Sequence, residues 1–196
     1  MSYMIALDCE MGGIGDDKSL LTAYFALFHH HNNGNIVKVD ELDLKIKPND
    51  DIYRVTTEAL EINGIDLKEH NKGAVYEKKA GTMLYDKLRG WYNDCGCNKL
   101  IPIGHNVGGD IRRITNTLMS RGSWEQYVSY RVLDTCSIAQ FLRITGNLPE
   151  TLACSLTSLR EYFKIELPEG VAHEAKFDAL ATVEVLKKLT DIVNKK

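Results

Sequence analysis

Asp8, Glu10, Asp110, His173 and Asp178 are the side chains of this 196-residue sequence whose types and settings could do chemistry. Asp8 and Glu10 close the first apolar run, Tyr3-Met4-Ile5-Ala6-Leu7. That run is short and rich in strand formers, so it reads as a buried central strand. Side chains alternate along a strand, so both carboxylates leave one face and Cys9 leaves the other. Two like charges ~4 Å apart cost about 4 kcal/mol at an effective dielectric near ~20, so the pair needs a proton, a basic partner or a bound cation. Asp110 follows Gly108-Gly109 and opens a helix, where a carboxylate complements the helix dipole for under about 1 kcal/mol. Asp178 lies between Phe177 and Ala179-Leu180-Ala181, an apolar setting that leaves a merely solvated Asp unexplained. His173 precedes it by five residues at a helix start, a common place for a surface residue or a cap.

These groups need elements to carry them. Met11-Gly12-Gly13-Ile14-Gly15-Asp16-Asp17-Lys18 is a turn-rich loop without the GxGxxG pattern, followed by strand-like Leu20 to His29. His29-His30-His31 runs into Asn32-Asn33-Gly34-Asn35, a hairpin turn whose histidines read as a solvated tip, and Ile36 to Lys47 alternates as a third strand. Thr56 or Thr57 caps a short helix over Glu58–Ile62, which Asn63-Gly64 stops. Tyr76 to Asn93 spaces Met83, Leu84, Leu88, Trp91 and Tyr92 on one helix face. Leu100 to Ile103 is a short strand in which Pro102 suggests an edge or an irregular end. Gly104-His105-Asn106-Val107-Gly108-Gly109-Asp110 turns into a helix burying Ile111, Ile114 and Leu118. A strand at Tyr130–Leu133, an Asp134-Thr135 cap with a helix through Leu142, and a helix over Ser155–Tyr162 follow. The last helix runs from about Glu174 to Val193. Three strands, then strands alternating with helices, point to one α/β domain over residues 1–196, a mixed sheet flanked by helices.

Net charge is −3, which argues against a bulk nucleic-acid coat but leaves a local basic patch open. Five cysteines with no CxxC make neither a disulfide framework nor a zinc ribbon, and Cys95-Gly96-Cys97 reads as tolerated thiols. They fit a reducing compartment. The first apolar run is too short and too acidic for a secretory leader, and no segment approaches a membrane span. The expected setting is cytoplasmic, with no membrane partner.

Taken together, Asp8-x-Glu10, Gly104-His105-Asn106 with Asp110, and His173-x-x-x-x-Asp178 resemble the DEDDh (DnaQ-like) branch of the 3′–5′ exonuclease family, in family order across nearly the whole chain. Glu58-Ala59-Leu60, Asn63-Gly64-Ile65 and Leu133-Asp134-Thr135 support the match. The resemblance implies an RNase H-like mixed sheet, with the first three strands antiparallel and later ones parallel. It also implies a metal-dependent exonuclease releasing nucleoside 5′-monophosphates from the 3′ end of single-stranded DNA or RNA, and a possible homodimer. The competing expectation is a non-catalytic nucleic-acid-binding or interaction module that has kept the fold.

Phosphodiester hydrolysis needs a hydroxide at neutral pH and stabilisation of the attacking and leaving oxygens, which two divalent ions ~3.5–4 Å apart can supply. Hard oxygen donors without a Cys/His cage favour Mg²⁺ or Mn²⁺. By the resemblance, Asp8 bridges two such cations, Glu10 and Asp178 complete the first site, Asp110 holds the second, and His173 is the general base. Substrate contacts are expected from Met11, Gly12, His105 and Asn106, the last two also shaping the turn. Many relatives carry Thr-Gly after the Glu, whereas this chain has Met11-Gly12-Gly13 and so lacks the hydroxyl. The Asp-Cys-Glu-Met run is closer to RNA-processing members. Gly109 stands where a bulky residue is usual, so a stacking partner for a base would come from Tyr24, Phe25 or Tyr130. Arg112 and Arg113 are candidates for phosphate contacts or for helix-surface salt bridges. Lys78, Lys79, Lys87 and Arg89 read as a solvated basic face.

Overall fold

The computed structural model describes residues 2–31, 34–96, 99–166 and 174–194. Three long strands begin the chain: β1 (Ser2–Met11), β2 (Leu20–His30) and β3 (Ile36–Lys47). They pair antiparallel, with Ala6 opposite Ala26 and Tyr24 opposite Asp43. β1 runs four residues beyond Leu7 because its pairing with β2 continues to Met11–Leu20, so Asp8 and Glu10 are strand residues rather than loop residues.

After β3 come α1 (Thr57–Asn63), α2 (Leu67–Gly73), the two-residue β4 (Val75–Tyr76) and α3 (Glu77–Cys95). Thr56 caps α1 by accepting the Ala59 N–H, and Gly64 ends it in the left-handed region at φ 65°. Sequence reading missed α2, whose residues carry no helical stripe but are capped by Asp66. Next are β5 (Ile101–Gly104), α4 (Gly108–Thr117), α5 (Arg121–Tyr127), β6 (Leu133–Asp134), α6 (Thr135–Ile144), α7 (Leu156–Phe163) and α8 (Ala175–Asn194). The α5 helix was also missed, and the strand expected over Tyr130–Leu133 shrinks to β6. The six strands order as β4-β3-β2-β1-β5-β6, with β5 and β6 parallel to their neighbours.

Of the two expectations for Pro102, the edge is corrected, because β5 is interior, between β1 and β6, and the irregular end holds. Leu100 bridges Val128 and pairing resumes only at Ile103–Leu133, so the ladder is interrupted at the residue that has no N–H to give.

Alternation along β1 sorts the core. Ile5, Leu7 and Cys9 face one cluster with Leu84, Leu88, Trp91, Ile114 and Trp124, beneath α3, α4 and α5. Met4 and Ala6 face the other with Tyr24, Ala26, Ala175, Ala179 and Val183, beneath α8. Each large side chain fully buried here is worth about 1.5–3 kcal/mol. The even row of β1 then continues into Asp8 and Glu10, so both carboxylates emerge on the side that α8 covers. Alanines on both surfaces (Ala6, Ala26, Ala175, Ala179) let the helix lie close to the sheet, within reach of a side chain as short as Asp178.

Candidate active site

Asp8, Glu10 and Asp178 meet at the end of β1, each offering a carboxylate oxygen, all within 4.8 Å of one another. Among the described residues this is the one group of three or more His, Cys, Asp or Glu side chains so placed. Asp110 arrives from the other side. β1 pairs with β5 only as far as Ala6–Ile103, and the Asp110 carboxylate accepts the Cys9 N–H just beyond. Its carboxylate, nearly buried, lies outside the group of three but acts on both Asp8 and Glu10. The helix-dipole role is therefore not the whole of its placement.

Crowding and burial hold protons on this cluster. Burial first, then the charges of Asp110, Glu10 and Asp178, raise the Asp8 carboxyl well above the usual carboxylate range. Glu10 is pushed up to about 8 by burial, then by Asp178 and Asp110. Burial lifts Asp110 to about 7 against the pull of its own N–H and that of Cys9. A divalent cation would reverse this balance by favouring the ionised forms. Hard oxygen donors converging in this way fit such an ion.

The first turn of α8 is anchored to the sheet. Lys176 Nζ donates to Glu41 Oε1 at 2.9 Å, while Tyr24 Oη and Lys38 Nζ donate to Glu41 Oε2 at 2.5 and 2.6 Å. Lys38, then Tyr24 and Lys176, hold the Glu41 carboxyl down at about 2. No sequence signal marks this tie, whose partners are 135 residues apart. On the other flank, Asn63 Nδ2 donates to the Met11 carbonyl at 3.3 Å and Asn63 Oδ1 accepts the Ile65 N–H. The Asn63-Gly64-Ile65 turn is thereby set beside the end of β1. A cleft of about 560 Å³ opens there, lined by Glu10, Thr22, Lys45, Ile65, His70 and Lys176 among others.

The expected substrate residues fare differently. The Gly12 N–H goes to the Ser19 carbonyl and its own carbonyl accepts the Thr56 N–H. A Cβ there would sit 2.6 Å from the Arg54 carbonyl oxygen, so Gly12 is where two chain segments approach closely. The Met11 side chain packs on the α3-side core. The His105 ring bonds Thr135 Oγ1 at 2.9 Å and the Cys154 carbonyl, and burial pushes its pKa down. Asn106 is exposed at φ 59°, its N–H held by Asp134 Oδ1, which also caps α6. Both therefore shape the turn, as one of the two expectations had it. Tyr24 and Phe25 are fully buried and cannot stack on a base, whereas Tyr130 is exposed.

The remaining candidates are mostly structural. Arg112 pairs with Asp16 and Arg113 is buried, bonded to backbone carbonyls, so Arg113 is not offered to a phosphate. Lys87 pairs with Asp40 and Arg89 with Asp86. His29 is not a solvated tip but stacks on Tyr3, ring centroids 4.5 Å apart. Cys95 packs on the α3-side core. His173 and Cys97 lie outside the described residues.

No family model matches the chain. Over 188 residues it is 23% identical to ribonuclease T of Shewanella denitrificans, covering 93% of this chain and 78% of that protein. Exonuclease I superposes on 100% of this chain and 44% of its own, with a TM-score of 0.72 and 16% identity. E. coli exonuclease I in complex with a dT13 oligonucleotide gives a TM-score of 0.68 and 16% identity, covering 99% of this chain and 43% of that one. The chain thus spans less than half the length of the exonuclease I chains, whose likeness is one of fold.

Proposed function

We propose that this chain, a DEDDh (DnaQ-like) member of the RNase H-like superfamily, is a metal-dependent 3′–5′ exonuclease that shortens single-stranded DNA or RNA and releases nucleoside 5′-monophosphates. The observation that carries the reading is the convergence of Asp8, Glu10 and Asp178 within 4.8 Å, with Asp110 on the neighbouring Cys9 amide, beside an open cleft. The oligonucleotide held by E. coli exonuclease I supports nucleic acid as the partner.

In this reading Asp8, Glu10, Asp178 and Asp110 would hold two divalent cations, Mg²⁺ or Mn²⁺. When bound, such ions generate hydroxide at neutral pH and stabilise charge on the leaving oxygen. Asp8 and Glu10 fix one side of the pocket because β1 is locked between two strands. Asp178 closes it from α8, whose first turn the Glu41–Lys176 pair holds down. His173 takes the proton of the attacking water, a role worth about 10²–10⁴-fold. The terminal nucleotide occupies the cleft beside Glu10, and Asn63 keeps the wall of that cleft in place. A single domain over residues 1–196, a homodimer and a cytoplasmic setting complete the proposal.

The test is a time course on 5′-labelled DNA and RNA oligonucleotides with Mg²⁺ or Mn²⁺. Stepwise shortening that EDTA stops is expected. A flat course with both polymers in either metal would leave a nucleic-acid-binding module.

A further inference from the structure

The loop between β1 and β2 follows Glu10 directly and already closes on itself, through Gly12 N–H to Ser19 O at 2.8 Å and Lys18 N–H to Gly15 O at 3.0 Å. It nonetheless receives a buried cation. Arg113, 6% exposed, donates through Nη1 to the carbonyls of Asp16 and Lys18 at 2.7 and 2.8 Å, and through Nη2 to that of Gly15 at 2.6 Å. A charge taken out of water and given to neutral carbonyls is a costly way to close a loop that closes itself. What it adds is a tie between the loop and α4.

Three residues before Arg113 on that helix is Asp110, and positions three apart lie on one helix face. Asp110 grips the Cys9 amide, and Arg113 grips the segment that continues from Glu10. The two bonds close a ring: Cys9 N–H, Asp110, one turn of α4, Arg113, the Gly15–Lys18 carbonyls, and back along the loop to Glu10.

We propose that Arg113 is a positioning residue, a clamp that sets Asp110 relative to Asp8 and Glu10 and so sets the strength of cation binding. The proposal rests on the exonuclease reading above. A guanidinium suits the task because its planar fork reaches carbonyls in divergent directions, which an ammonium does not reproduce.

The experiment compares wild type, R113K, R113M and the control R121A, whose exposed pair with Glu125 lies within α5. Mn²⁺ binding is read by calorimetry and turnover by oligonucleotide shortening against Mn²⁺ concentration. R113M is expected to raise the half-saturating Mn²⁺ and to lower kcat by about 10–100-fold each, the range for partners that orient metal ligands, with KM for the oligonucleotide nearly unchanged. R113K falls between, and R121A follows wild type. Folded R113K and R113M on the wild-type Mn²⁺ curve, whatever their Tm, would overturn the clamp. So would failure of both to fold, which would make Arg113 a folding residue. A wild-type chain that neither binds Mn²⁺ nor cuts would instead overturn the exonuclease reading.

Discussion

Glu10→Gln removes a charge from the most crowded place in the molecule, and the structure fixes the sign of the effect. Glu10 is raised from 4.5 to about 8, first by burial and then by Asp178 and Asp110. Below pH 4.5 the folded and unfolded chains both carry the proton, and wild type has its full stability. As pH climbs toward 8 the unfolded chain sheds the proton while the folded one retains it, so stability is lost across that window. At pH 7 the loss from Glu10 alone is at most about 3 kcal/mol, at 1.36 kcal/mol per unit. Gln has no proton to shed but still buries an amide among carboxylates, which reduces the gain to about 1–2 kcal/mol. The metal-free variant should therefore melt about 2–8 °C above wild type near pH 7, at ~2–4 °C per kcal/mol for a chain of this size. The difference should shrink to under about 1 kcal/mol at pH 5. Urea and thermal unfolding in EDTA at pH 5, 7 and 8 measures it, and added Mn²⁺ should reverse the order by stabilising wild type alone. A Gln variant less stable than wild type at pH 8 in EDTA would refute the reasoning, because the carboxylates would then not be working against the fold.

Asp178→Asn should abolish turnover and weaken Mn²⁺ binding by tenfold or more (about 10–100-fold by the usual range for a perturbed site), as calorimetry reads. His173→Ala should slow hydrolysis by roughly 10²–10⁴-fold with Mn²⁺ affinity retained; loss of that affinity would count against a general base. Gly12→Ala should destabilise the fold by about 1–3 kcal/mol in urea unfolding, since its Cβ would meet the Arg54 carbonyl oxygen at 2.6 Å.

How much of this was legible in the sequence depends on the range of the interaction. The alternation of Met4, Ala6, Asp8 and Glu10 is local and period two, so their shared face could be read directly. Thr56, Asp134 and Ser155 cap helices they stand next to, again a local matter. The α2 helix could not be read because its seven residues draw stability from tertiary packing, with His70 buried and bonded to the Ile46 carbonyl. Glu41 with Lys176 and Arg113 with Gly15 are pairings of distant residues, and one chain carries no record of which distant groups will meet. The substrate contact expected at Gly12 comes from the resemblance, through a backbone N–H; that this N–H bonds the Ser19 carbonyl, and that Arg54 approaches the same glycine, are tertiary facts that residue type does not announce.

The two faces of β1 leave this chain little freedom to change length. A single residue gained or lost between Met4 and Glu10 would rotate the acids toward Trp91 and Ile114 and bring Cys9 round to α8. Such a lineage would lose its oily interior and its reactive pocket in one event, with no folded but inert intermediate from which to recover. An insertion or deletion is therefore expected to be accommodated in the connections beyond rather than in the segment from Met4 to Glu10.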